Sequence, residues 1–92
     1  MKANVTILAR GVVQGVGFRF FVDRKAREYG LCGWVKNLPS GEVEIEVEGE
    51  RGMIEDFIKE TKIGPSMASV SGIVVKWNED LKGYEDFKIK FW

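Results

Sequence analysis

Val5-Thr6-Ile7-Leu8-Ala9-Arg10-Gly11-Val12-Val13-Gln14-Gly15-Val16-Gly17-Phe18-Arg19 begins with a period of two and ends where a helical period takes over. Val5, Ile7 and Ala9 alternate with Thr6, Leu8 and Arg10, the pattern of a strand with one buried face. From Phe18 onward, Phe18, Val22, Ala26 and Tyr29 recur at spacings of four, four and three. That stripe predicts an amphipathic helix, widened by Phe21, ended by Gly30 and wet on the side of Arg24, Lys25 and Arg27. Between the two lies a glycine-rich strand-to-helix turn. Gly15 and Gly17 let the backbone curl its N–H groups into one concavity, and the helix start adds unpaired donors and a positive dipole end. Such a turn suits a small tetrahedral anion. Arg19 stands where the cradle enters the helix, able to grip two oxygens of a phosphate. Gln14, Gly15, Val16, Gly17, Phe18 and Arg19 are therefore the candidate phosphate-binding residues. The bland alternative is a tight connection with a surface arginine. Nucleotide motifs are excluded: there is no G-x-x-x-x-G-K-[ST], and Phe20 stands where G-x-G-x-x-G needs its last glycine.

Downstream, Gly33-Trp34-Val35-Lys36-Asn37 opens a second strand, and Leu38-Pro39-Ser40-Gly41 supplies a hairpin turn. In the third strand Val43, Ile45 and Val47 face one way and Glu42, Glu44, Glu46 and Glu48 the other, which predicts one face for core and one for water. After Glu50-Arg51-Gly52 comes a second helix with Met53, Ile54, Phe57 and Ile58 as its apolar stripe and Gly64-Pro65 as its end. Met67 to Trp77 reads as a fourth strand, with Gly72 marking a bulge or a change of face. A polar link, Asn78 to Gly83, precedes a last strand in which Phe87, Ile89 and Phe91 alternate with Lys88, Lys90 and Trp92. Trp34, Trp77 and Trp92 read as sheet packing, and Cys32 as a small buried apolar residue. The order is that of an α+β, ferredoxin-like split βαβ sandwich (βαββαβ), with two helices on one face of a four- or five-stranded, mainly antiparallel sheet. Residues 1–92 are expected to form a single domain.

Composition narrows the chemistry. Fourteen basic and fourteen acidic residues leave no net charge, which argues against nucleic-acid binding through an overall positive field. RNA-recognition modules share this element order, but they stack bases on exposed sheet aromatics. Here the corresponding faces carry Thr6, Leu8, Arg10 and the glutamate ladder, which repels a phosphate backbone. No apolar run approaches the ~20 residues of a membrane span, so a cytoplasmic protein is expected. The chain has one cysteine and no histidine. Internal disulfides, the usual zinc sites and the Ser-His and Cys-His nucleophile pairs are thereby excluded, and no metal or cofactor is expected.

Gly11-Val12-Val13-Gln14-Gly15-Val16-Gly17-Phe18-Arg19 resembles the first acylphosphatase motif, glycine-x-valine-glutamine-glycine-valine-x-aromatic-arginine. Gly33-Trp34-Val35-Lys36-Asn37, followed by Gly41-Glu42-Val43 and Gly49, resembles the second. The likeness covers almost the whole chain. It implies that Arg19 binds the phosphoryl group, that Asn37 positions the attacking water, and that both are catalytic. The substrate implied is a small-molecule acyl phosphate and the product inorganic phosphate, with no nucleic-acid or membrane partner and a monomer expected. Similar domains also begin a larger carbamoyltransferase of hydrogenase maturation, but an independent small enzyme is the reading favoured here. The chemistry fits a chain without histidine. An acyl phosphate is a mixed anhydride whose leaving carboxylate has a conjugate acid of pKa about 4, so no general acid is needed.

Overall fold

The computed structural model describes residues 1–91. The sheet-packing role expected for Trp92 lies outside them. Seven elements follow the predicted order: β1 (Lys2–Val12), α1 (Phe18–Glu28), β2 (Cys32–Asn37), β3 (Val43–Glu50), α2 (Arg51–Ile63), β4 (Ser69–Asn78) and β5 (Phe87–Lys90). The strands form one sheet in the order β4-β1-β3-β2-β5. All pairings are antiparallel except that of β2 with β5. This is the ferredoxin-like α+β fold.

Register follows from which residues must be dry. Val5 pairs with Val47, Ile7 with Ile45 and Ala9 with Val43, while Val35 lies beside Ile45 in the next strand. All seven are fully buried. Phe18, Phe21, Val22 and Ala26 of α1 and Ile54, Phe57 and Thr61 of α2 close over them. Each buried Val, Ile or Phe among them gains roughly 1.5–3 kcal/mol from leaving water, and slipping a strand by one residue would forfeit the whole set. The stripe of α2 is narrower than expected: Met53 is exposed and Thr61, donating back to the Phe57 carbonyl at 2.9 Å, takes the inner position one turn on. Lys25 is likewise half-buried, bridging Glu28 and Glu60 at 3.5 and 3.4 Å and so tying α1 to α2. In β4, Arg10 pairs with Gly72 but Gly11 with Val70, leaving Ser71 as the extra residue of a bulge. That one-residue slip lets Val70 share the inner side with Ile73, Val75 and Trp77.

The expectation of a solvated glutamate face is corrected. Glu42 and Glu44 are half-buried, but Glu46 and Glu48 are only 6% and 8% exposed. The reason is topological. β4 and β5 occupy opposite edges of the sheet, so the link between them must travel four strand spacings, roughly 19 Å at ~4.8 Å each. It crosses the face that carries no helix. There the Lys82 and Gly83 N–H groups donate to Glu48 at 2.6 and 2.8 Å, and Lys82 Nζ lies 3.4 Å from Glu46. Asn4 Nδ2 donates to both glutamates at 3.0 and 2.9 Å, and Asn78 in turn donates to Asn4 Oδ1 at 2.6 Å. The Trp34 indole donates to Tyr84 Oη at 3.1 Å, pinning the far end of the link. Cys32 shares this outer face, paired with Glu48, and is half-buried rather than part of the core.

Candidate functional site

Two strands end together beside the start of a helix. Since β1 and β2 are each antiparallel to β3, they run in the same direction and finish at the same end of the sheet. Val43 fixes the level, pairing with Ala9 on one side and Asn37 on the other. Asn37 shares the strand parity of Val35 and so belongs to the helix-bearing side. The connection from β1 into α1 arrives at that same end. Gln14 ties it there, its Nε2 donating to the carbonyls of Leu38 and Glu42 at 2.8 and 2.9 Å, at either end of the β2–β3 turn.

Within the loop, Val13 and Phe18 are each 1% exposed and act as the two anchors in the core. Between them Gly15 and Gly17 adopt left-handed φ values of 73° and 75°. Nothing lies within 4 Å of where a Cβ would stand at either, so glycine is required for the backbone angle and not for space. Gly17 is also the N-cap of α1, offers no side-chain cap, and the first turn carries no acid. The leading N–H groups of the helix thus have neither a side-chain cap nor a first-turn acid to meet them.

A cavity of about 240 Å³ lies here, lined by Gly15, Gly17, Phe18, Arg19 and Asn37 together with Val13 and Phe20. Of the predicted phosphate-binding residues, Gln14 and Val16 do not line it. Gln14 turns its amide to the hairpin turn and Val16 packs against the core. Arg19 is held from behind: its Nη1 donates to the Lys90 carbonyl at 3.1 Å, and its guanidinium lies 4.7 Å from the centre of the Phe91 ring. The Asn37 Oδ1 is buried and has no hydrogen-bond partner in the protein. A buried acceptor left without a partner costs about 1–3 kcal/mol. Sequence reasoning passed over Phe20; the signal available was an aromatic residue off the apolar stripe of α1, on its wet side.

Nearby charges belong to the scaffold. Glu42 accepts from Ser40 Oγ at 2.8 Å and from Arg10 Nε at 2.7 Å, and these two partners hold its carboxyl below the ordinary value of 4.5. A wider hollow of about 500 Å³ opens on the opposite face between Thr6, Glu46, Asn78 and Lys82. Its buried acid, Glu46, is already engaged by Asn4 and Lys82, whereas the smaller cavity brings together a cation, an asparagine and a helix start. Among the described residues, no three His, Cys, Asp or Glu side chains gather closely enough to hold a metal ion.

The family model described as acylphosphatase matches residues 5–89. The acylphosphatase of Chlorobaculum tepidum is 46% identical over 88 residues, covering 96% of each chain. The crystal structure of acylphosphatase from Bacillus subtilis superposes with a TM-score of 0.94 at 39% identity, covering 98% of this chain and 99% of that one. Full-length HypF, solved with phosphate and nucleotide bound, matches at 42% identity and a TM-score of 0.87, but the match spans only 12% of that chain. By sequence and by fold alike, the chain belongs to the acylphosphatase family.

Proposed function

We propose that this acylphosphatase cleaves the carboxyl–phosphate bond by placing a water in line with a phosphoryl group held in the glycine loop. The observation that carries the reading is the shared cavity of Arg19, Asn37 and the loop glycines. Backbone N–H groups of Gly15, Gly17 and Phe18, which line the cavity, and the Arg19 guanidinium bind the phosphoryl oxygens. Phosphoryl transfer passes through a loose transition state with charge on those oxygens, so fixed donors act where charge develops. One such donor is worth about 3–4 kcal/mol in a transition state. Asn37, which lines the cavity, orients the water through its side-chain amide. The water oxygen bonds to phosphorus, the phosphorus–acyl oxygen bond breaks, and the carboxylate leaves with the electron pair. An amide takes up no proton at neutral pH, so the water's proton passes to a phosphoryl oxygen or to solvent after the barrier.

In this reading no metal or cofactor takes part, and neither nucleic acid nor membrane is a partner. Residues 1–92 act as one monomeric domain in the cytoplasm. No helix among the described residues is long and apolar enough to cross a membrane.

Hydrolysis of benzoyl phosphate in excess chelator, with phosphate affinity measured alongside, tests the assignment. Arg19→Ala is expected to lose phosphate affinity and roughly a thousandfold in turnover. Asn37→Ala is expected to keep phosphate affinity and lose roughly a hundredfold in turnover. Normal turnover in Asn37→Ala removes the water-positioning role. Loss of wild-type turnover on adding chelator removes metal independence.

A further inference from the structure

We propose that Phe20 sets the acyl preference of this enzyme: it forms an apolar wall at the mouth of the phosphate cavity that favours aromatic and bulky apolar acyl phosphates over acetyl phosphate. The inference rests on the placement of the phosphoryl group in the loop given above. At about 240 Å³ the cavity is smaller than the ~300–1,000 Å³ of sites that enclose a drug-sized ligand. It takes the phosphoryl group and the reacting carboxyl. The remainder of the acyl group lies at the mouth.

What it meets there follows from the lining. Arg19 is committed to phosphoryl oxygens and Asn37 to the water. Val13 and Phe18 are spent in the core at 1% exposure each, whereas Phe20 is 62% exposed. Phe20 is therefore the one side chain of the lining, among the described residues, with apolar surface free to contact a substrate. No carboxylate or lysine lines the cavity to receive a charged acyl group. In-line attack sends the leaving oxygen away from the water. Asn37 comes to the cavity from the end of β2 and Phe20 from the first turn of α1, so the two side chains approach it from different elements.

A ring on a ring is expected to change affinity roughly three- to tenfold, and an acetyl methyl covers too little of the Phe20 face to share it. The contact exists before and during reaction, so it falls on KM rather than kcat. The test compares kcat/KM for benzoyl phosphate and acetyl phosphate in wild type, Phe20→Ala and Phe20→Tyr. Affinities for benzylphosphonate and methylphosphonate are measured beside them.

In Phe20→Ala the benzoyl-to-acetyl ratio is expected to fall roughly three- to tenfold through KM and the phosphonate affinity ratio to fall with it; Phe20→Tyr restores both. An unchanged ratio, an equal loss on both substrates, or a change confined to kcat overturns the inference. Failure of the underlying reading looks different: wild type then hydrolyses neither substrate, or Arg19→Ala hydrolyses both normally. The phosphonate ratio still reports the Phe20 contact in that case, and a ratio indifferent to Phe20 refutes it.

Discussion

Glu48→Gln isolates what the crossing link contributes, since Glu48 is buried and holds three donors at once. Its Oε1 accepts from Asn4 Nδ2 at 2.9 Å and Lys82 N at 2.6 Å, and its Oε2 from Gly83 N at 2.8 Å. A glutamine keeps one oxygen for the first pair and turns an NH2 toward the Gly83 N–H, donor against donor. One charge-assisted bond is lost, and the other two become neutral ones. With charged hydrogen bonds at about 1.5–3 kcal/mol, and some discount for water near a link one layer thick, the net loss is about 2 kcal/mol. For a chain of this length that lowers Tm by roughly 8–16 °C at pH 7.

The pH dependence carries the same signature. Burial alone pushes the Glu48 carboxyl up, but the hydrogen bonds from Lys82, Asn4 and Gly83 outweigh it and hold the group below 4.5. A carboxyl depressed by folding stabilises the native state fully above its unfolded value, and that contribution is lost as pH falls through the depressed value. Urea unfolding from pH 7 to below 4.5 should therefore show a steeper acid loss in wild type than in Glu48→Gln. Turnover of benzoyl phosphate should stay within about twofold, because the perturbation sits on the face away from the loop. A variant as stable as wild type at pH 7, with the same acid slope, would refute the assignment of the link's order to this carboxylate.

Gln14→Ala removes both bonds from the loop to the β2–β3 turn and should cost about 2 kcal/mol in urea unfolding, together with weaker phosphate binding by calorimetry. Gly17→Ala places a Cβ in open space but at a left-handed φ, so it should cost about 1–2 kcal/mol with reduced phosphate affinity. Gly52→Ala in the first turn of α2 also meets open space, without the backbone penalty, and should raise stability by about 0.4–1 kcal/mol with turnover unchanged.

The inner face of this fold was legible because each strand there obeys one rule. Val5, Ile7 and Ala9, then Val43, Ile45 and Val47, alternate without exception, and both helices carry a stripe to cover them. The bulge near Gly72 was legible too, since the apolar phase of β4 changes there. The outer face was not. Period two says only that Glu46 and Glu48 avoid the core; whether they meet water depends on a link whose path is dictated by strands at opposite edges. Met53 was misread because a four-residue apolar cluster does not say which of its members sits at the centre of the stripe, and Thr61 was passed over because its hydroxyl is satisfied by its own helix. The roles of Gln14 and Phe20 turn on side-chain direction within an irregular loop and at a helix start, where no periodicity operates.

Asn37 illustrates how a site can be specified without any residue near it in sequence. Its position beside the loop is fixed by Val43, paired with Ala9 on one strand and with Asn37 on the other. Gln14 then fastens the loop to that same turn, and the Lys90 carbonyl fastens Arg19 from the far edge strand. Three separate ties to the backbone converge on a cavity lined by neither a histidine nor a carboxylate. A reaction with a good leaving group asks for placement, and placement is lost steeply with small displacements. It follows that the ties and the reacting groups are energetically one unit. In a double-mutant cycle, Gln14→Ala and Asn37→Ala should fall short of additivity in turnover, since once the water is unplaced a loosened turn has little more to spoil. Full additivity would mean that the loop and Asn37 are set independently, and that the hairpin turn transmits nothing between them.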